Sequence, residues 1–393
     1  MNRNRSTQAY VSLVFFVMFI YGINNQAVGT LITRIIAHYN IRMAQAGLLP
    51  SFASAGNFAA IFAVTVFAGR VNKTILMGAS LFFWAVSLYL ISTAPPFAVI
   101  LACFALIGIF AATTDTLVNS LVADLMPDHV SRSLSILHGI FGVGGLCGPI
   151  VIERLAENMS WEQVFFIIGT AFVIYLIIYV AVLKWQWKAL AASIPSEKRE
   201  KFGFSDIAQF FTQKRHVLLW ITMFFYGGNQ STLSVWIKRY VETHLDNPAW
   251  GAYALSAMWL GTAVCRLFIS PNVRASSPVK ICAGNLISAA ALAAGLLSGS
   301  AVWMTAASLV TGLSSGLTIP LILATGCEWH PDKTAYGTLM PFTALFISFV
   351  VFPPLGGLVG DFAGIPWGVA VGAASALVTS VFAGILNANL KQA

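Results

Sequence analysis

Asp115 stands in a long apolar run, with Asn119 four positions after it. It is the one acid in the chain that falls deep inside such a run. An ionised carboxylate is expensive in a hydrocarbon environment, so a residue of this kind should face a cavity and mark a path for ions or protons. A carboxylate that gains and loses a proton as that cavity opens to each side is what proton coupling requires. Asn119 lies one helical turn on, on the same face, where it can bond Asp115 or a solute hydroxyl. The same two residues also suit a structural polar pair tying two helices together. His138 sits beside a glycine-rich run (Gly139, Gly142, Gly144, Gly145, Gly148). Histidine titrates near physiological pH, so His138 can join a proton relay with Asp115 or serve as a packing histidine.

A second set of polar residues occurs twice. Phe19-Ile20-Tyr21-Gly22-Ile23-Asn24-Asn25-Gln26 returns as Phe224-Phe225-Tyr226-Gly227-Gly228-Asn229-Gln230. Laid on Tyr21 and Tyr226, Asn24 falls on Asn229, Asn25 on Gln230 and Arg34 on Arg239. Neutral amides with flat apolar faces are what recognises a sugar. Asn24, Asn25, Gln26, Asn229 and Gln230 would supply the amides, and Tyr21, Tyr226, Trp236 and Trp259 the faces. Amides also bond helix to helix within membranes, and aromatic residues also serve packing and interfacial belts. Arg266 lies inside a later apolar run, eight residues or about 12 Å from Arg274 at its cytoplasmic end. It reads first as a gate residue and second as an anchor for an anionic solute such as a sugar acid.

The elements that must hold these residues are membrane helices. Of 393 residues 58% are hydrophobic and 9% charged, far from the roughly 25% charge of soluble domains. Twelve segments reach the about 20 apolar residues a spanning helix needs: 10–34, 44–69, 74–93, 97–122, 133–157, 161–183, 216–240, 250–272, 279–298, 301–325, 334–359 and 365–388. The first is too long for a cleavable signal peptide. The polar stretch 184–215 is rich in Lys and Arg and reads as a cytoplasmic linker between a six-helix half at 1–183 and another at 216–393.

Placing the N-terminus in the cytoplasm puts 16 of the 22 Lys and Arg residues inside and five outside, which orients both termini inward. The net charge of +8 then belongs to cytoplasmic loops and not to a nucleic-acid surface. Glu153, Arg154, Glu157, Lys238, Arg239 and Glu242 fall at outer helix ends, as snorkelling or solvated residues or outer-gate pairs. Further matches lie at the same offset: Gly108 with Gly312, Pro127 with Pro331, Trp161 with Trp367. An offset near 205 over three segment pairs argues for a parallel duplication, a design of transporters whose site lies at the junction of the repeats.

On these features the chain resembles the major facilitator superfamily. Ala68-Gly69-Arg70-Val71-Asn72-Lys73, between the second and third segments, is similar to a degenerate form of that superfamily's Gly-x-x-x-Asp-Arg-x-Gly-Arg loop, with the Asp missing. Within the superfamily it resembles the fucose–proton symporter family and its glucose and galactose relatives. Tyr21-Gly22-Ile23-Asn24-Asn25, Asp115-Thr116-Leu117-Val118-Asn119 and Leu137-His138-Gly139-Ile140-Phe141-Gly142-Val143-Gly144 carry that likeness. The resemblance implies an all-α integral membrane fold of twelve helices in two pseudo-symmetric halves, alternating access, and a proton-linked acid at Asp115. It also implies a second acid where this chain has Gln26, which leaves the coupling stoichiometry open.

The expected function is proton-coupled symport of a monosaccharide or similar small polar solute. The alternatives are a proton-driven exporter of drugs or metabolites, or a carrier for an organic anion held by Arg266. An enzyme would need a metal or nucleophile constellation, and a sensor a soluble output domain; neither pattern is in the sequence. The five cysteines show no metal-ligand spacing. The expected partners are the solute and the lipid bilayer, without nucleic acid, in a monomer of a plasma membrane such as a bacterial inner membrane. No cofactor is expected; the driving force would be a proton gradient, or a sodium gradient, since an Asp among neutral oxygens can hold either ion.

Overall fold

The computed structural model describes residues 5–67, 72–126, 130–191, 210–270, 278–330 and 334–392. The described residues of each of the twelve apolar segments are mainly helical. Helices answer the central constraint of hydrocarbon: every backbone amide and carbonyl must be satisfied within the segment. Ten helices among the described residues are long and apolar enough to cross a membrane. Side chains such as Ile177, Phe268, Trp303 and Phe362 stand exposed on their outer faces, as lipid-facing residues should.

The chain forms two compact units, 1–27 with 52–198, and 28–51 with 199–393. Most of the 184–215 stretch, Pro127 with Pro331, and residues 68–71 of the loop motif lie outside the described residues. The unit division departs from sequence order in one respect. Residues 28–51, part of the first half by position, pack within the second unit.

The first unit contains α1 (Arg5–Asn25), most of α4 (Leu48–Phe67), α5 (Lys73–Ser92), α6 (Phe97–Leu125), α7 (Val130–Ala156) and α8 (Trp161–Ala191). Asn72 caps α5, accepting from the Thr74 amide at 2.9 Å. Lys73 then donates to Asp124 at 2.9 Å and to Ser120 at 2.7 Å, tying the start of α5 to the end of α6. The second unit holds α2 (Ala27–Tyr39), α3 (Met43–Ala46), α9 (Lys214–Thr243), α10 (Pro248–Val264), α11 (Pro278–Ser298), α12 (Ala301–Ser315), α13 (Thr318–Trp329), α14 (Thr334–Ala363) and α15 (Ile365–Gln392).

Four expected segments are interrupted, the second segment at Gly47 between α3 and α4. The first divides at Gln26, whose amide makes a short-range bond to the Ile23 carbonyl at 3.0 Å. The eighth ends in a π-turn, Cys265–Ile269, and the tenth pauses between Ser315 and Thr318.

The duplication is written into the packing. A Cβ on Gly108 would run into the Ala53 carbonyl, and one on Gly56 into the Ala105 carbonyl. In the second unit a Cβ on Gly312 would strike the Met258 carbonyl, and one on Gly261 the Leu309 carbonyl. The same reciprocal glycine contact, shifted by 204–205 positions, brings α4 onto α6 and α10 onto α12. Small residues of this kind let membrane helices approach backbone to backbone. Gly22 on α1 packs likewise against Phe141 and Gly144 of α7; its equivalent, Gly227 of α9, meets Ser348 of α14.

Candidate functional site

In the first unit the close α1–α7 contact fixes Tyr21 on the inner side of its helix. Its ring stands edge-on to Trp84 and to Phe141, each at 5.0 Å between centroids. Asp115 and Asn119 follow on α6, both half-buried. The Asn119 side-chain amide donates to the Asp115 carbonyl at 2.8 Å and to its carboxylate at 3.2 Å. Tyr21 and His138 both lie within electrostatic reach of that carboxylate. Tyr21, Asp115, Asn119 and His138 are therefore gathered together, from three helices. Such a group can hold a proton on Asp115 and offer an imidazole and an amide beside it.

The neighbouring amides divide. Asn24 is nearly buried, and its side-chain oxygen has no hydrogen-bond partner. Asn25 is exposed. Gln26 is 1% exposed and packs against Gly148, where a Cβ would come within 3.0 Å of its Cγ.

In the second unit the equivalent residues are more tightly engaged. Tyr226, Asn229 and Gln230 are buried on α9. Asn229 donates to the Gly372 carbonyl of α15 at 3.0 Å. Gln230 donates to the Asn229 oxygen at 3.2 Å and to the Ser315 hydroxyl at 3.4 Å. Arg266, on the π-turn, lies against the Tyr226 hydroxyl. Asn285 on α11 bonds the Thr318 hydroxyl at 2.9 Å, at the head of α13.

Two expectations change. Trp236 is fully buried among apolar neighbours, with its indole nitrogen donating to the Pro353 carbonyl at 2.9 Å. Trp259 packs against the same cluster. Trp236 therefore belongs to the core of the unit, while Trp259 is only partly buried beside it. Lys238, expected at a helix end as a snorkelling or solvated residue or in an outer-gate pair, is fully buried and does pair, with Glu242 at 2.9 Å. Glu242 in turn accepts from Thr33 at 2.8 Å. Arg154 and Glu157, by contrast, form an exposed pair at 2.8 Å. Ser315 and Asp124 were not singled out from sequence. A serine in a helix carries no signal of its own, and only the neighbouring loop motif pointed towards Lys73.

Comparison with known proteins agrees with this architecture. The profile of the Major Facilitator Superfamily matches residues 14–282. A curated mouse protein, sodium-dependent glucose transporter 1A of Mus musculus, is 24% identical over 319 residues, covering 73% of this chain and 72% of that protein. The chain spans 56% and 61% of the lengths of two further curated relatives. Among solved structures, a mutant form of the nucleoside transporter NupG superposes with a TM-score of 0.76 at 13% identity, covering 98% of this chain and 99% of that one. A mutant form of the E. coli fucose:proton symporter, FucP, gives 0.64 at 18% identity, over 97% and 99%. At these identities the structural likeness establishes the fold alone. Together with the profile match over two-thirds of its length, it establishes that the chain belongs to the major facilitator superfamily of membrane transporters.

Proposed function

We propose that this transporter is a secondary active carrier that moves a small hydroxylated solute, a monosaccharide or close relative, together with a proton by alternating access. The observation that carries the reading is the Asp115 group. A half-buried carboxylate, held by an amide one turn away and flanked by an imidazole and a phenol, is the chemistry a proton carrier needs. The buried amides Asn24, Asn229 and Gln230 support a hydroxylated cargo, because each offers both donors and an acceptor. A glucose carrier among the relatives and a fucose carrier among the structural neighbours lean the same way. The proposed setting is a plasma membrane, with both termini cytoplasmic and the protein acting as a monomer.

The test is uptake of labelled sugars by purified protein in liposomes under an inward proton gradient. Accumulation of a sugar that a protonophore abolishes supports the reading. Transport of hydrophobic cations in place of any hydroxylated solute would assign the protein to drug or metabolite export.

A further inference from the structure

The second unit carries a cation that no acid among the described residues neutralises. Arg266 sits within an apolar segment, and among the described residues no carboxylate pairs with it. Its neighbours are the Tyr226 hydroxyl and the Cys265 sulfur. The Arg266 side chain reaches the Tyr226 hydroxyl as a hydrogen-bonding neighbour, but the fully buried hydroxyl has no partner in good geometry and the Arg266 Nε has none. An arginine at membrane depth is costly and is normally paired.

The backbone around it is unusual as well. Arg266 is held on a single π-turn, a helix irregularity common at functional sites. That turn packs hard on the tenth segment: a Cβ on Gly316 would come within 2.9 Å of the Cys265 Cβ. Ser315, beside Gly316, accepts from Gln230. Asn229 and Gln230 follow Tyr226 by three and four positions, so they stand one turn, about 5.4 Å, along the same face of α9. A guanidinium, a phenol, two amides and a serine hydroxyl thus converge within this one unit.

The charge count restricts what they can hold. A planar guanidinium with a phenol beside it matches a carboxylate, which accepts two parallel hydrogen bonds. A phosphate, with about 1.5 to 2 negative charges at neutral pH, would leave charge uncompensated on a lone arginine. Amides and a serine suit hydroxyls.

We infer that the solute is a hydroxylated monocarboxylate of the sugar-acid type, with its carboxylate on Arg266 and Tyr226 and its hydroxyls on Asn229, Gln230 and Ser315. The inference rests on the transport reading above and narrows its cargo from neutral sugars to their acids.

The experiment measures uptake of labelled gluconate, glucuronate and glucose by the purified protein in liposomes under an inward proton gradient. Wild type is run beside Arg266→Gln, Arg266→Lys and Tyr226→Phe, with the melting temperature of each variant recorded. The expected result is uptake of an acid in preference to glucose. Arg266→Gln should raise its KM about tenfold to a hundredfold, the loss of a charge-assisted contact, without a matching fall in melting temperature. Arg266→Lys should recover part of the loss, and Tyr226→Phe should cost less. Uptake of glucose with no uptake of, or competition by, either acid would overturn the inference and leave the neutral-sugar reading standing. A fall in uptake of acid and glucose by the same factor in Arg266→Gln would also overturn it, and would make Arg266 structural. Failure of all three probes to move would overturn both readings.

Discussion

Asn119 folds its amide back onto Asp115, bonding both the carbonyl and the carboxylate of the residue one turn before it. The pair lies within a single helix and so survives any movement of other elements. Asp115→Asn should therefore abolish proton-driven accumulation while leaving solute exchange in place, because the amide keeps the shape but carries no exchangeable charge. Accumulation and counterflow measured on the same liposome preparation separate the two. Asn119→Ala should lower accumulation less. Equal loss of exchange and accumulation in Asp115→Asn would mean that the carboxylate holds the structure and not the proton.

The reciprocal glycine contacts predict matched lesions in the two units. Adding a side chain at Gly108 or at Gly312 drives a Cβ into the carbonyl of Ala53 or Met258. Overpacking of a tight contact costs about 1–3 kcal/mol. Gly108→Val and Gly312→Val should both lower the melting temperature and the yield of monodisperse protein in detergent. Gly299, which has open space around it, supplies the comparison: although its positive φ strains any side chain, no helix contact is at stake there. Thermal melts of the three variants side by side are the check.

Lys238 and Glu242 form an ion pair in which the lysine is fully buried and the glutamate side chain is 14% exposed. Removing one partner from such a pair strands a charge, at about 3–5 kcal/mol, whereas replacing both with apolar residues costs far less. Lys238→Met and Glu242→Leu should each be more damaging than the double variant. A double-mutant cycle on chemical or thermal stability measures the coupling. Additive single effects would show that the two charges are independently solvated.

Asp361 caps the short helix α3 with both carboxylate oxygens, accepting from the amides of Met43 and Ala44 at 2.9 Å each. Loss of a helix cap costs about 1 kcal/mol. Asp361→Ala should loosen α3 against α14. A cysteine placed at Ala46, which is fully buried, should then react with a maleimide several-fold faster than in the parent; an unchanged rate would show that the glycine contact of Gly357 with Met43 holds α3 unaided.

Local chemistry was enough for much of this protein. Apolar runs of spanning length located segments whose described residues are mainly helical, ten helices among those residues being long and apolar enough to cross a membrane. The 205-residue offset foretold that Gly108 and Gly312 would play the same part, because duplicated helices inherit the same packing surface. Asp115 and Asn119 were legible because their partnership is an i, i+4 relation within one helix, and a lone acid in an apolar run stands out in any reading.

What sequence left open depends on chain segments far apart. Lys238 looked like a helix-end residue, and its burial follows from Gly251, which admits its stem, and from Thr33, which shares its glutamate from 209 positions away. Trp236 looked like a solute platform until Pro353 and the apolar cluster around it took up both its nitrogen and its faces. The π-turn at Arg266 and the interruption at Gln26 do not register in hydropathy, which averages over a window longer than the irregularity. Composition and period report what a residue prefers. Which neighbour satisfies it, and which polar groups are left unsatisfied, is decided only when distant helices come into contact.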